Sequence, residues 1–515
     1  MSYLAPYNSR NTPRKIRTAL ISVFYKTGLE HLLEVLAAQQ VEFVSTGGTY
    51  EFIKSKGYTA ARVEDLTGFP AILGGRVKTL HPKVFGGILQ RREEAVDMQE
   101  VNMYKIPPID LVIVDLYPFD ETLASGAPHE AIIEKIDIGG VSLIRAAAKN
   151  FKDVAIVCSK DQYAPIADLL ASQEMTTSLE QRSNLAGQAF ALTAAYDSSI
   201  ATYFAPESLQ LHISEGRKLR YGENPHQSGY FFGKLDEVIT QMHGKDLSYN
   251  NLLDIDAAAN LMSEFYNGAP CVAVLKHNNP CGLAIRPTLL EAWNDALAGD
   301  PVSAFGGVII SNKKIDGATA EAMHNLFFEV LLAPEFSPEA LELLQQKKNR
   351  VLLRLNELAV SHKLIRTALN GFLVQDRDTH TDTREGLHAV TTTAPNARQI
   401  DDLIFANKIV KHTRSNTIVL AGGGQLFAAG TGQTSRIDAM KQAIDKALHF
   451  GFDLTNAVMA SDAFFPFADS VEVAHHAGIK AVIQPGGSVR DQASIDFCNA
   501  HQMAMVFTGV RHFKH

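Results

Sequence analysis

Cysteine and tryptophan are scarce in this chain, with four and one among 515 residues. Cys158, Cys271, Cys281 and Cys498 are widely scattered with no close pair, which argues against a disulfide framework and for reduced thiols. No apolar run approaches the ~18 residues that a membrane helix needs. Positive charge is not in excess: 48 Lys and Arg against 56 Asp and Glu leave a net charge of −8. Such a balance does not suit a surface built to coat nucleic acid or an anionic membrane, so any anionic ligand must meet a local basic site. Arg10, Arg14, Lys15 and Arg17 precede an apolar stretch, but Lys26-Thr27-Gly28 follows it instead of a small-residue cleavage site. The expectation is a cytoplasmic protein without nucleic-acid or membrane partners.

What is present is alternation. The runs 19–24, 41–45, 111–114 and 154–157 are short and apolar, as in central parallel strands. Leu29, Leu32, Leu33 and Leu36 fall at helical spacing, residues 129–149 read as helix, and a longer helix is expected over 185–203. Ala205-Pro206-Glu207-Ser208 is the best candidate boundary. Beyond it the alternation resumes with strands at 271–275 and 307–310, a helix at 289–297, a loop near 376–398 and a late strand at 481–483. This order predicts an α/β protein with parallel sheet covered on both faces. Two α/β parts would suit a duplication, yet no residue-level repeat is visible.

Several familiar chemistries fail on their spacing. Gly74-Gly75-Arg76-Val77-Lys78-Thr79 has Val where a P-loop needs Gly before the Lys. His277-Asn278-Asn279-Pro280-Cys281 faintly echoes a zinc deaminase, but Asn279 and Ala284 stand where the proton-shuttling Glu and second Cys belong. No His-Glu-x-x-His occurs, and His475-His476 reads as a solvated helix pair, so no metal site is expected.

The remaining candidates are Gly-bracketed polar loops after strands, where helix N-termini aim free N–H groups at ligands. Ser45-Thr46-Gly47-Gly48-Thr49 suits either a phosphate cradle or a plain helix cap. Arg76, Lys78 and Thr79 add two cations and a hydroxyl. Asp137 and Lys149 share a helical segment, as a surface pair or as an acid and an ammonium. Arg220-Tyr221-Gly222-Glu223-Asn224-Pro225-His226 is dense in polar groups. Lys276-His277, directly after an apolar strand, pairs a lysine whose pKa burial would lower with a group that titrates near neutrality.

Taken in order, these segments resemble the bifunctional purine-biosynthesis family that combines AICAR transformylase with IMP cyclohydrolase. The resemblance spans nearly the whole chain. It rests on 45–49, Thr67-Gly68-Phe69-Pro70, 75–82, Leu116-Tyr117-Pro118-Phe119, 136–140 and 146–150. It continues through 219–227, 276–282, 303–307, Ser415-Asn416, 432–436, 461–467 and Arg511-His512-Phe513. It implies a methylglyoxal-synthase-like, doubly wound cyclohydrolase domain over 1–204. A transformylase domain over 205–515 would follow, with two cytidine-deaminase-like subdomains at roughly 205–390 and 391–515. Implied substrates are AICAR, formyl-AICAR and 10-formyltetrahydrofolate as co-substrate, with IMP the product. No tightly bound cofactor or catalytic metal is implied, a monovalent cation is compatible, and the assembly would be a homodimer whose transformylase sites use both subunits.

The resemblance also carries residue roles. His277 would be the base for the AICAR amine, Lys276 the source of positive charge or of the leaving group's proton, and Asn416 the carbonyl donor. Arg220, Tyr221 and Arg511 would hold the nucleotide, while Phe305, Gly306, Phe464 and Asp469 would line the substrate and folate region. Lys78, Tyr117, Asp137 and Lys149 would surround the cyclising groups. Ser22, Lys26, Thr46, Gly47, Gly48, Thr49, Arg76, Thr79 and Gly139 would bind the nucleotide there. Three departures fall in this first half: Val23-Phe24-Tyr25 before Lys26, where relatives usually have Ser-Asp; Asp115 for a usual Asn; and Phe85 for a frequent His. A methylglyoxal-synthase-type lyase would leave some 300 residues without a role, and a nucleotide sensor would not need Lys276-His277.

Overall fold

The computed structural model describes residues 13–210, 213, 216–358 and 362–515; Arg10 lies outside them. The chain divides into two compact units, 1–214 and 215–515.

The first unit is built on a five-stranded parallel sheet ordered Ala61–Arg62, Glu42–Ser45, Thr18–Ser22, Leu111–Val114, Ala155–Val157. Leu20, Ile21, Val112, Ile113 and Ile156 are fully buried, so both faces of the sheet are covered by helices. The strand order reverses direction at Thr18–Ser22, and such switch points open a crevice at the carboxyl ends of the strands. The first strand stops at Ser22, short of the apolar run, because the Thr49 side chain takes both Val23 backbone groups: N–H at 3.0 Å and C=O at 2.9 Å.

Residues 129–149 form two helices, His129–Ile133 and Gly139–Lys149, rather than one. Tyr196, on the helix Leu179–Phe204, accepts from the Asp137 N–H (2.8 Å) and donates to the Lys135 carbonyl (2.6 Å). Those bonds replace the helical ones across the break and leave Asp137 at the start of the second helix.

The second unit contains a twelve-stranded sheet among the described residues, and its order is a mirror about its centre. From one edge run Ile239–His243, Val351–Leu355, Val330–Ala333, Val308–Ser311, Cys271–Lys276 and Asn279–Ile285. From the other edge run His388–Ala389, Ala504–Phe507, Ala481–Gln484, Val458–Ser461, Ile418–Gly422 and Gln425–Gly430. The halves meet antiparallel at Ala284 and Gln425. Each half repeats one order: a long helix (Tyr249–Ser263 or Ala397–Lys411), a hairpin, then three parallel strands alternating with helices. Both hairpins break register two residues before the turn, between Val274 and Leu275 and between Leu420 and Ala421. The two long helices lie over one shared apolar layer, including Leu261, Met262, Leu403, Ile409, Ala273 and Val419. On the opposite face each half has its own core, around Trp293 and Phe328 in one and Met440 and Phe465 in the other.

Candidate active sites

In the first unit the carboxyl ends of the central strands bring together much of the expected nucleotide set. Ser22 ends one strand, and its hydroxyl lies 2.7 Å from that of Thr46, the residue that starts the helix Gly47–Ser55. No side chain caps this helix, and the Gly47 and Gly48 N–H groups have no backbone acceptor among the described residues. Added Cβ atoms at either glycine would meet nothing within 4 Å, so the helix start is open. These are the features of an anion cradle. Thr49, by contrast, is spent on Val23. Lys26 curls back, donating to the carbonyls of Val23 and Phe24 at 3.1 Å each. Arg76 is exposed and ion-paired with Glu134, a contact cheap to exchange for a ligand anion.

Two of the sequence departures meet here. The Asp115 carboxylate accepts from the backbone N–H groups of Phe24 and Tyr25, the latter at 2.9 Å, while the Tyr25 hydroxyl donates to Glu121 at 2.5 Å. The loop is therefore tied from the end of the neighbouring strand. Burial raises the Asp115 carboxyl, against the pull of those two amides and Lys26.

Asp137, Tyr117 and Lys78 form the second cluster of this unit. Burial raises the Asp137 carboxyl above the usual range, while the N–H groups of Gly140 (2.7 Å) and Tyr117 and the Lys78 charge oppose the rise. Burial also raises the Tyr117 phenol, with the Asp137 charge adding to it. Thr79 is buried against Gly139, where a Cβ would come within 3.1 Å of its hydroxyl. Lys149 ends the helix that Gly139 begins, about 15 Å along its axis.

In the second unit the hairpin turn after Cys271–Lys276 consists of His277 and Asn278, both left-handed (φ 50° and 64°). The corresponding turn of the other half is Gly423-Gly424 (φ 58° and 70°). Placing two side chains where the duplicate has glycines costs on the order of 1 kcal/mol each, the kind of strain kept at functional sites. Lys276 donates to the carbonyls of Phe305 (3.1 Å) and Gly306 (2.8 Å), which fixes its ammonium beside the turn. Asp254 accepts from the Asn278 N–H at 2.7 Å, and the His277 and Lys276 charges partly offset the burial that raises its carboxyl. The side-chain oxygens of Asn278 and Asn279 are buried without a partner among the described residues.

Strand directions put the other expected residues at the same edge of the sheet. Gly306 precedes Val308–Ser311, Asn416 precedes Ile418–Gly422, Phe464 and Asp469 follow Val458–Ser461, and Arg511 follows Ala504–Phe507. The loop of Arg220 and Tyr221 is tied to this end by the Asn250 side chain, which donates to the Glu223 carbonyl at 3.1 Å. Arg220 stacks over Tyr221 and Arg511 over Phe513, at 5.2 and 4.4 Å from the ring centres. The Asn416 amide donates to the carbonyls of Gln433 (3.0 Å) and Thr434 (3.3 Å), and its oxygen accepts from Arg436 (3.1 Å). Arg436 also pairs with Asp462 (2.8 Å) and reaches the Phe464 carbonyl (3.2 Å).

Family models match this chain in two segments: that of the AICARFT/IMPCHase bienzyme over residues 147–446, and an MGS-like domain over residues 28–142. The chain belongs to the AICARFT/IMPCHase bienzyme family. A relative named bifunctional purine biosynthesis protein PurH from Bacteroides thetaiotaomicron is 58% identical over 505 residues, covering 98% of this chain and 99% of its own. Relatives of the same name from Aquifex aeolicus and Enterococcus faecalis are 46% and 45% identical, covering 96% and 97% of this chain and all of their own. The chain is accordingly a bifunctional purine-biosynthesis enzyme, with AICAR transformylase and IMP cyclohydrolase activities.

For this family member the sequence missed Tyr196, Asp254 and Arg436 as site residues. Each acts on its target across a long stretch of chain: 59 residues to Asp137, 24 to Asn278 and 20 to Asn416. Only Arg436 carried a signal, standing at the end of the quoted motif 432–436. His475 and His476 end the helix Asp469–His476, and no group of three or more His, Cys, Asp or Glu that would hold a metal occurs among the described residues. All four cysteines are buried and free, and no described helix is long and apolar enough to cross a membrane.

Proposed function

We propose that the second unit transfers the formyl group of 10-formyltetrahydrofolate to AICAR at the Lys276-His277 turn, and that the first cyclises formyl-AICAR to IMP around Asp137. The strained His277-Asn278 turn, set where the other half of the sheet has Gly-Gly, carries the transformylase reading. The 5-amino group of AICAR is conjugated with its ring and is a weak nucleophile, so the attack needs a base. His277 takes the proton, the amine closes on the formyl carbon, and Lys276 supplies the charge and proton by which the folate nitrogen departs. Asn416 donates to the carbonyl oxygen as it gains charge, giving up its long bond to Thr434. Arg220, Tyr221 and Arg511 grip the nucleotide, whose phosphate suits a guanidinium fork. Phe305, Gly306, Phe464 and Asp469 line the folate side.

His277 sits in the turn between Cys271–Lys276 and Asn279–Ile285, and Asn416 begins a strand two to three spacings away in the sheet, roughly 10–14 Å. One chain does not close both around a single formyl group. This favours a homodimer in which His277 of one copy works with Asn416 of the second. Cyclisation asks chiefly for positioning, which can remove on the order of 7–11 kcal/mol of barrier. Asp137 takes the carboxamide proton and Lys78 polarises the formyl oxygen, with Tyr117 beside them. Ser22, Lys26, Thr46, Gly47, Gly48, Thr49, Arg76, Thr79 and Gly139 hold the phosphate and ribose, Thr49 through the Val23 backbone. Lys149 is the alternative cation for the formyl oxygen. The reading places the cyclohydrolase in 1–204 and the transformylase in 205–515, in the cytoplasm, with no resident metal.

A product assay with AICAR and 10-formyltetrahydrofolate tests it. Wild type should yield IMP and stoichiometric tetrahydrofolate. His277→Asn, which tolerates the left-handed turn, should make no formyl-AICAR yet convert supplied formyl-AICAR to IMP. Lys78→Ala should accumulate formyl-AICAR. Loss of both activities in either folded variant overturns the two-site reading.

A further inference from the structure

One buried polar cluster in the second unit is used by none of these steps. His512 is 3% exposed, and both its ring nitrogens face carboxylates: Nδ1 lies 2.6 Å from Asp378 and Nε2 3.2 Å from Asp382. Ionised carboxylates only accept, so both ring nitrogens donate and the ring is an imidazolium. Asp382 is itself buried and also takes bonds from Asn407 (2.6 Å) and His380 (3.2 Å), while the His380 carbonyl accepts from Lys411 (2.8 Å). The segment 378–382, the helix Ala397–Lys411 and the segment 511–515 are thereby joined at one ring.

From that ring two short routes lead to Asn416. In the first, the backbone N–H of His512 donates to the Asp462 carbonyl at 3.0 Å, and the Asp462 carboxylate holds Arg436, which holds the Asn416 oxygen. In the second, Lys514 and Ser415 exchange bonds: the Ser415 N–H donates to the Lys514 carbonyl (2.9 Å) and the Lys514 N–H to the Ser415 hydroxyl (3.0 Å). Residue 512 points inward while its neighbours Arg511 and Phe513 are exposed, the alternation of extended chain. A single buried anchor therefore sets both the carbonyl donor on one side and the nucleotide-gripping Arg511 on the other.

We propose that His512 is a positioning residue for formyl transfer, a charged pin between Asp378 and Asp382 that holds 511–515 against Ser415-Asn416. The proposal rests on the reading of Asn416 as carbonyl donor. Burial works to lower the pKa of His512, but the two carboxylates overcome it and push it up to about 9. The charged and titratable groups around the ring are Asp378 and Asp382, which it bonds, His380, stacked beside it, and Glu264, Lys408 and Lys411, which line the same small pocket. Losing the proton removes one donor and leaves a buried carboxylate facing a lone pair, so the pin releases at alkaline pH.

The test uses the full chain and measures kcat and KM for formyl transfer across pH, with cyclisation of supplied formyl-AICAR as internal control. His512→Gln should lower the transformylase kcat about tenfold or more, as small misplacements of reacting groups do. Its cyclohydrolase should be unchanged, and its pH profile should lack a falling limb near 9. Asp378→Asn, which keeps shape and removes one carboxylate, should move the wild-type alkaline limb to lower pH and remains informative if His512→Gln does not fold. Wild-type kcat and profile in folded His512→Gln, or an unmoved limb in Asp378→Asn, overturns the proposal. Asn416→Ala separates the two readings: full formyl transfer by that variant removes the carbonyl-donor assignment instead.

Discussion

Asp254 and Asp402 perform the same act in two halves of one sheet. Each is the sixth residue of its long helix, and each accepts from the N–H of the second residue of a hairpin turn, Asn278 at 2.7 Å and Gly424 at 2.8 Å. With the matching breaks in hairpin register, this is the residue-level trace of a duplication. The turns differ in what they display: His277 beside a fixed lysine in one, glycine in the other.

That difference predicts unequal consequences for equal losses. Asp254→Ala and Asp402→Ala should each cost about 1–3 kcal/mol of stability, since each takes a charged acceptor from a part-buried backbone N–H. Only Asp254→Ala should reduce formyl transfer, by about 10-fold or more through a displaced His277. Urea unfolding alongside a tetrahydrofolate assay reads both, and equal rates in the two variants would contradict the assignment of the His277 turn.

Gly306 offers an independent probe of Lys276. Its φ is +67°, and a Cβ there would stand 3.0 Å from the lysine Nζ. Gly306→Ala should therefore displace the ammonium and strain the backbone by about 1–2 kcal/mol. The expected result is a fall in transformylase kcat with normal IMP formation from formyl-AICAR.

As the proposed base of cyclisation, the Asp137 carboxyl must be ionised to take a proton, and burial raises its pKa. The base form is thus lost at a higher pH than for an ordinary aspartate, and the acid limb of cyclohydrolase activity should lie above the usual Asp range of about 4. Lys78 opposes the rise, so Lys78→Met should shift that limb further up in whatever activity remains. A limb that stays put, followed with formyl-AICAR as substrate, would separate Asp137 from the titration.

Asp115 holds the loop between Ser22 and Lys26 by two backbone amides. Asp115→Ala should free that loop and raise KM for formyl-AICAR about tenfold, with formyl transfer unaffected; unequal binding of a nucleotide before and after substitution, read by calorimetry, checks it.

The chain displayed in its sequence what local chemistry writes there. The Ser-Thr-Gly-Gly-Thr start of Gly47–Ser55, the apolar strands and the Lys276-His277 pair after one of them were all legible, because each is a property of a few consecutive residues. The break at Asp137 was not, since the apolar spacing runs on across it and the interruption is made by Tyr196, far along the chain. The duplication was hidden for a related reason: it survives in turn geometry and in two aspartates, while the residues around them have diverged. Asn416 was named from its motif, but its orientation depends on Arg436 and on the segment 511–515, which only folding brings beside it.

The apolar layer beneath Tyr249–Ser263 and Ala397–Lys411 belongs to neither half alone. Splitting the sheet between Ala284 and Gln425 would part Phe265 from Phe405, whose rings lie 5.7 Å apart, and bare that side of the layer in both pieces. The half whose turn is Gly423-Gly424 is therefore no spare part: it completes the interior of its twin. Unfolding of 215–515 should then be one cooperative event, and the rigidity of the edge that carries His277 is a property of both halves at once.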